Sequence, residues 1–181
     1  MDLARAVPGL RLDVRYATPR NFMGIALYPQ ARVILQRPAA EAVARVQRAL
    51  APHGVGLLAY DGYRPWYVTK AFWDTTPPEQ RSFVANPATG SRHNRGCAVD
   101  IGLYDLATGE AVAMPSDYDE FTARAHPNYV GGTARARHFR ALLRRTMEAH
   151  GFTINETEWW HYDFNACAGY GVLNVPFEAV R

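Results

Sequence analysis

The stretch that decides how this chain is read is Ser91–Asp100, S-R-H-N-R-G-C-A-V-D. It gains meaning beside a second stretch, Glu158–Asp163, E-W-W-H-Y-D. Together they supply two imidazoles, His93 and His161, and two carboxylates, Asp100 and Glu158. Two histidines and one carboxylate leave the fourth position of a tetrahedral zinc open, the arrangement of catalytic rather than structural sites. The chain is therefore expected to fold so that the two stretches meet, with the remainder serving as scaffold and pocket.

Strand parity tests this expectation. His93 and Asp100 are seven residues apart, and on one straight strand an odd separation puts them on opposite faces. A break is needed between them, and Gly96 is placed to supply a turn or bulge. His93 is thus expected in the approach to a strand and Asp100 within it. Glu158 and His161 pose the same problem, so Glu158 is expected at or before the start of the last strand. Asp163 shares parity with His161 and is a candidate outer partner for it.

Composition bounds the remaining choices. The chain has 181 residues, 48% apolar and 20% charged, ordinary for one soluble globular domain spanning residues 1–181. The net charge is +3, and of the 20 basic residues only Lys70 is not arginine. The arginines are dispersed and form no basic stripe interleaved with aromatics, so a nucleic-acid partner is not expected. No apolar run approaches the roughly 18 residues that span a bilayer, so no membrane partner is expected. The amino terminus has no charged-then-apolar signal pattern, which points to the cytoplasm, or to the periplasm if a signal peptide has been removed. The oligomeric state is left open. Cys97 and Cys167 lack metal-site spacing and read as two buried free thiols. A single bridge is the alternative, because both lie beside stretches that the site brings together.

Periodicity then places the elements. Residues 9–37 read as irregular, with a strand by alternation from Leu10 to Tyr16 and a second short one at Val33–Leu35. Pro38, Val43, Val46, Leu50 and Gly54 mark an amphipathic helix over 39–51. Val55–Tyr60 is a buried strand ending in the turn D-G-Y-R-P, Asp61–Pro65. Residues 66–74 read as helical and 75–90 as a loop. Cys97–Leu103 reads as a strand, with Ala111–Met114 pairing back across a turn at Thr108–Gly109. Met114–Gly132 is a long irregular segment of the kind that shapes sites. A helix over 134–149 and a last strand, Glu158–Phe164, complete the chain. The mixed order without β-α-β alternation predicts an α+β fold: a central, mainly antiparallel sheet flanked by helices, with the metal site on the sheet.

With these residues in view, the chain resembles the zinc D-alanyl-D-alanine dipeptidases. Their wider fold group takes in other D-Ala-D-Ala metallopeptidases, lysostaphin-type endopeptidases and the amino-terminal domain of hedgehog proteins. S-R-H-N-R-G-C-A-V-D fits S-x-H-x-x-G-x-A-x-D, and E-W-W-H fits E-x-W-H. D-G-Y-R-P, the R-Y-A-T-x-x-N-F stretch at Arg15–Phe22 and the Y-D-E-F at Tyr118–Phe121 match in order as well. The resemblance implies one Zn2+ per chain held by His93, Asp100 and His161, with Glu158 as general base and then general acid. It implies that Arg64 faces the scissile carbonyl and that Ser91 and Asp119 contact the substrate's termini, Asp119 taking the ammonium. Tyr16 would line the same pocket. The segment M-P-S-D-Y-D, Met114–Asp119, departs from the family's glycine-containing pattern, and Asp117 competes with Asp119 for the ammonium.

The reaction that the resemblance implies is hydrolysis of a small D,D-dipeptide. Two rivals stand beside it: a D,D-carboxypeptidase or endopeptidase acting on peptidoglycan, and a zinc-containing binding module without catalysis. A deep, capped pocket favours the dipeptidase over the wall enzyme. Glu158 and Arg64 argue against the module, because a structural zinc site needs neither. Trp159 and Trp160 read as packing residues, and His126 and His138 as non-ligands.

Overall fold

The continuous apolar run after Gly54 is buried at every position and forms the strand around which the sheet is laid. In the computed structural model, which describes residues 1–180, the elements run in the order α1 (Leu3–Ala6), β1 (Arg11–Leu12), α2 (Arg37–Leu50), β2 (Val55–Asp61), α3 (Trp66–Thr75), β3 (Ala98–Asp105), α4 (Ala134–Ala149), β4 (Phe152–Asn155) and β5 (Glu158–Phe164). The five strands form one sheet ordered β1-β2-β3-β5-β4. Only the β1–β2 pair is parallel, so the fold is α+β with a mainly antiparallel sheet. Among the described residues no helix is long and apolar enough to cross a membrane.

Helices α2 and α4 pack on each other and against the sheet. Ala39, Ala40, Val43, Val46 and Leu50 are fully buried along α2, the stripe its periodicity predicts. α4 is capped by the Thr133 hydroxyl, which accepts from Ala136 N at 3.0 Å, and buries Leu142, Leu143 and Met147. On β3, Val99, Ile101 and Leu103 are fully buried and alternate with Asp100, which therefore points to the other side of the sheet.

Several expectations need correction. The alternation at Leu10–Tyr16 yields only two paired residues, Arg11 and Leu12. Beyond them β2 shifts register between Ala59 and Asp61, and the chain turns into a short 3-10 segment, Arg15–Ala17. There the Tyr16 ring is buried against Tyr28, Phe72 and Tyr118. Val33–Leu35 and Ala111–Met114 contribute single bridges, Ile34 to Asp2 and Ala111 to Tyr104, rather than strands. Phe152–Asn155 is a strand that the sequence reading passed over, although its burial alternates as a half-buried strand's does. Cys97 and Cys167 are joined as a disulfide, with their Cα atoms 6.0 Å apart. The bridge forms because Phe164 N donates to Cys97 O at 2.8 Å, which brings the end of β5 alongside the start of β3.

Two loops are locked together on the site side. Asn94, fully buried, donates to Arg64 O and to Thr69 Oγ1, both at 2.8 Å, and accepts from Ser91 N at 2.7 Å. Arg64 N in turn donates to His93 O at 3.1 Å. The turn after β2 and the approach to β3 are thus one hydrogen-bonded unit. Replacing Asn94 by Ala strands these buried partners, each costing about 1–3 kcal/mol when left unsatisfied. Asn94→Ala is expected to lower unfolding free energy by at least about 2 kcal/mol, read as a fall in the urea midpoint at unchanged slope. A change below about 0.5 kcal/mol, the level of an ordinary surface substitution, would contradict this role.

Candidate active site

The site is built from a row of residues across three strands. Asp100 on β3 is paired in register with Asp61 on β2 and with His161 on β5. His93 joins from a 3-10 turn, His93–Arg95, that ends at Gly96 in the left-handed region, φ 65°. A side chain at Gly96 would be strained there and would crowd Gln36 N at 3.3 Å. This is the break that parity requires between His93 and Asp100.

Glu158 is the first residue of β5, and the β4–β5 ladder slips between Ile154 and Asn155. Asn155 shapes that hairpin: its Oδ1 accepts from Thr157 N and Oγ1, both at 2.9 Å, and its Nδ2 lies 3.4 Å from Glu158 Oε2. The irregular start of β5 brings Glu158 Oε2 to 3.6 Å from His161 Nδ1, as the odd spacing of the two residues demanded.

His93 Nε2, His161 Nδ1 and Asp100 Oδ1 face one another at 3.1, 3.2 and 3.3 Å. Asp100 Oδ1 is buried and accepts no hydrogen bond. Ligand atoms about 2.0–2.1 Å from a tetrahedral zinc lie about 3.3 Å from each other, so the three donors fit a cation of that size. The outer nitrogens are held as well: His93 Nδ1 lies 2.7 Å from Gly62 O, and His161 Nε2 lies 3.0 Å from Asp163 Oδ1. Tyr118 donates to Asp100 Oδ2 at 2.9 Å. A Cβ at Gly62 would meet Ile34 O at 2.8 Å, so only glycine lets that carbonyl sit where it does.

Arg64 is buried, and Asp61 binds its Nε and Nη2 at 3.0 and 2.8 Å. Asp61, fully buried, also accepts from Tyr28 Oη and Gly62 N. The guanidinium lies over the Phe72 ring at 4.7 Å, with Nη2 3.8 Å from Asp100 Oδ2. Burial opposes its charge, but Asp61 outweighs that and holds its pKa above the ordinary arginine value.

These groups open into a cavity of about 280 Å³, which Ser91, Tyr16 and Asp119 also line. Ser91 Oγ accepts from His93 N at 3.1 Å. Asp119 has φ 60°, the left-handed region, where Asp is tolerated better than most residues. Its Oδ2 is buried without a partner. Burial, reinforced by Asp100 and Glu158, pushes its carboxyl well above the usual range, against the pull of Tyr16 and Arg64. Asp117 lies outside this cavity, where Arg15 binds it through two nitrogens at 2.9 Å. Of the two acids that compete for the ammonium in the sequence, the cavity therefore contains Asp119.

Sequence reasoning missed Asp61, Tyr118 and Asn155, whose roles depend on neighbours visible only in the fold. It also missed a wall of aromatics. Phe22, Phe83 and Phe121, from three separate loops, line the cavity; Phe121 stacks on Phe83 at 4.9 Å and meets Phe22 at 5.1 Å. Trp159 and Trp160 are buried as expected, with Trp160 also at the cavity wall.

The chain belongs to the D-ala-D-ala dipeptidase family (Peptidase_M15), whose model matches residues 1–177. It is 34% identical over 177 residues to the D-alanyl-D-alanine dipeptidase of Escherichia coli, covering 98% of this chain and 90% of that one. It is 35% identical over 178 residues to the D-alanyl-D-alanine dipeptidase of Enterococcus faecium, covering 88% of each. Likeness to solved structures is weaker. A vancomycin-resistance D,D-pentapeptidase in complex with Zn(II) is 16% identical, with TM-score 0.44 over 74% of each chain, too little to carry an argument about this site.

The electrostatics predict a pH dependence of stability. Burial raises Glu158 from an ordinary 4.5 to about 7, and Asp119 is raised as well. Burial lowers His161, but the neighbouring carboxylates Asp100 and Asp163 outweigh it and raise the ring above 6.5. Groups with raised pKa values contribute stability that is complete below their unfolded pKa and lost as pH rises through the folded one. Asp100 and Asp163 are lowered and act only at more acid pH. The chelator-treated protein is therefore expected to lose melting temperature as pH rises from about 4.5 to about 7, at about 2–4 °C per kcal/mol for a chain of this size. In Glu158→Gln the part of that loss that falls between about pH 4.5 and pH 7 should vanish. A melting temperature that stays flat or rises over this window would contradict the charge balance described.

Proposed function

We propose that this protein hydrolyses the D-alanyl-D-alanine dipeptide to two D-alanines, with one zinc ion held by His93, Asp100 and His161. The observation that carries the reading is the carboxylate of Asp119, one oxygen of which is buried without a partner, in the same small cavity as the three facing donors and Glu158. A free dipeptide brings an ammonium that a longer wall peptide lacks at that position, and Asp119 Oδ2 is a buried acceptor with no partner of its own. The cavity volume lies just below the range typical of drug-sized ligand sites, which suits a two-residue substrate. Phe22, Phe83 and Phe121 give the cavity an apolar wall beside these polar groups.

When bound, zinc supplies a Lewis acid that lowers the pKa of a water to about 7 and polarises the scissile carbonyl. Glu158, held at the start of β5 by its hairpin, takes the proton of the attacking water and passes it to the leaving amine. A carboxyl whose pKa is raised towards neutrality suits both transfers. Arg64 is held by Asp61 through Nε and Nη2, and its remaining nitrogen, Nη1, makes no hydrogen bond to a described residue. That nitrogen is the donor for the charge developing on the carbonyl oxygen, and Arg stays ionised there as Lys would not. Asp119 takes the substrate's ammonium, with Tyr16 beside it. Ser91 faces the other terminus.

The test is amine release from D-Ala-D-Ala, L-Ala-L-Ala and a peptidoglycan pentapeptide by zinc-loaded protein. Cleavage of the D,D-dipeptide alone is expected, with Glu158→Ala slower by about 10²–10⁴-fold at unchanged zinc content. Cleavage of the pentapeptide would move the protein to the wall carboxypeptidases. Wild type and Glu158→Ala both inert with zinc bound would make it a binding module. In the same assay Arg64→Lys is expected to lower kcat by about 10²–10³-fold, the usual cost of one lost oxyanion donor. An unchanged kcat would remove Arg64 from the reaction.

A further inference from the structure

We infer that Asp163 is the positioning residue that makes His161 a metal ligand through Nδ1, an inference that rests on the metal reading above. An imidazole can turn only one nitrogen to a metal, and which one is set by what the other nitrogen binds. His161 Nδ1 is the inward atom, 3.2 Å from Asp100 Oδ1 and 3.1 Å from His93 Nε2. Its Nε2 lies 3.0 Å from Asp163 Oδ1. An ionised carboxylate only accepts hydrogen bonds, so Nε2 carries the hydrogen and Nδ1 keeps the lone pair.

The backbone fixes this contact. His161 and Asp163 are two apart on β5 and so share a face. Asp163 is paired on both sides, with Ala98 of β3 and Thr153 of β4, so its Cα cannot drift. Its second oxygen lies 3.8 Å from Arg92 Nε at the cavity rim. The other imidazole is treated differently, since His93 Nδ1 meets a neutral carbonyl, Gly62 O. Asp61 Oδ2 lies 3.9 Å from His93 Nδ1, so of the two candidate histidine ligands only His161 has a carboxylate within hydrogen-bond distance of its outer nitrogen, which raises its basicity as a ligand as well as fixing its orientation.

Two readouts test this. The tautomer of His161 is read in the metal-free protein by NMR of ¹⁵N-labelled histidine, at a pH where the ring is neutral. Zinc affinity is read by chelator competition. Wild type is expected to show the Nε2–H tautomer, and Asp163→Ala to lose it and bind zinc about 10–100-fold more weakly, the usual effect of removing such a partner. Asp163→Asn, which keeps an acceptor oxygen but not the charge, should fall between them. An unchanged melting temperature of the metal-free variants shows that the fold survives. Asp163→Ala with the wild-type tautomer, or with zinc affinity within about twofold of wild type, would overturn the inference. If wild type itself binds no zinc, the metal reading falls, while the tautomer comparison still decides whether Asp163 orients His161.

Discussion

The pairing of Asp100 with His161 across β3 and β5 is the constraint on which the site depends. Side chains alternate along a strand, so a slip of one residue between these strands would send one of the two to the opposite face. That register is held by the rest of the sheet. Val99, Ile101 and Leu103 must stay buried on the core side of β3, which packs against α4, and this fixes Asp100 on the other side. Asp61 is paired to Asp100 on its far side, so the same register also sets where Arg64 is anchored.

Two local departures from regular strand geometry complete the arrangement. The left-handed Gly96 lets His93 approach from outside the strand, and the slipped β4–β5 hairpin carries Glu158 round to the face of His161. Both cost ladder hydrogen bonds or conformational freedom. The costs are offset where the loops are tied down, by Asn94 between two turns and by the Cys97–Cys167 bridge between the bases of β3 and β5. The cavity concentrates Asp100, Asp119, Glu158 and Asp163 around Arg64, Arg92 and the two imidazoles. Burying several carboxylates together disfavours ionising all of them, which is why Glu158 and Asp119 are raised. A dication held by the three donors, as proposed above, would relieve that imbalance, as would an ammonium beside Asp119.

Much of this was legible in the sequence because residue type and spacing carry it. The periodicity of Pro38–Leu50 and of residues 134–149 marks the two helices that cover the sheet. The odd spacings of His93 to Asp100 and of Glu158 to His161 forced a break in each stretch, and the fold has one in each. The remainder depended on distances between remote parts of the chain. The length of β1 is set by how far it pairs with β2, a remote strand, which no pattern around Leu10–Tyr16 reveals. The disulfide depends on Cys97 and Cys167 coming within bridging distance at the end of β5. Asp61 reads as an ordinary turn acid until Tyr28, Gly62 and Arg64 converge on it. The aromatic wall needs three loops to meet.

The central claim is that three donors from two distant stretches bind one metal ion. X-ray absorption at the zinc edge of the stoichiometric zinc protein tests it most directly. A four-coordinate shell of nitrogen and oxygen at about 2.0–2.1 Å is expected, with the outer scattering of two imidazoles, reduced to one in His161→Ala. A sulfur shell at about 2.3 Å, or an imidazole signal unchanged in His161→Ala, would contradict it.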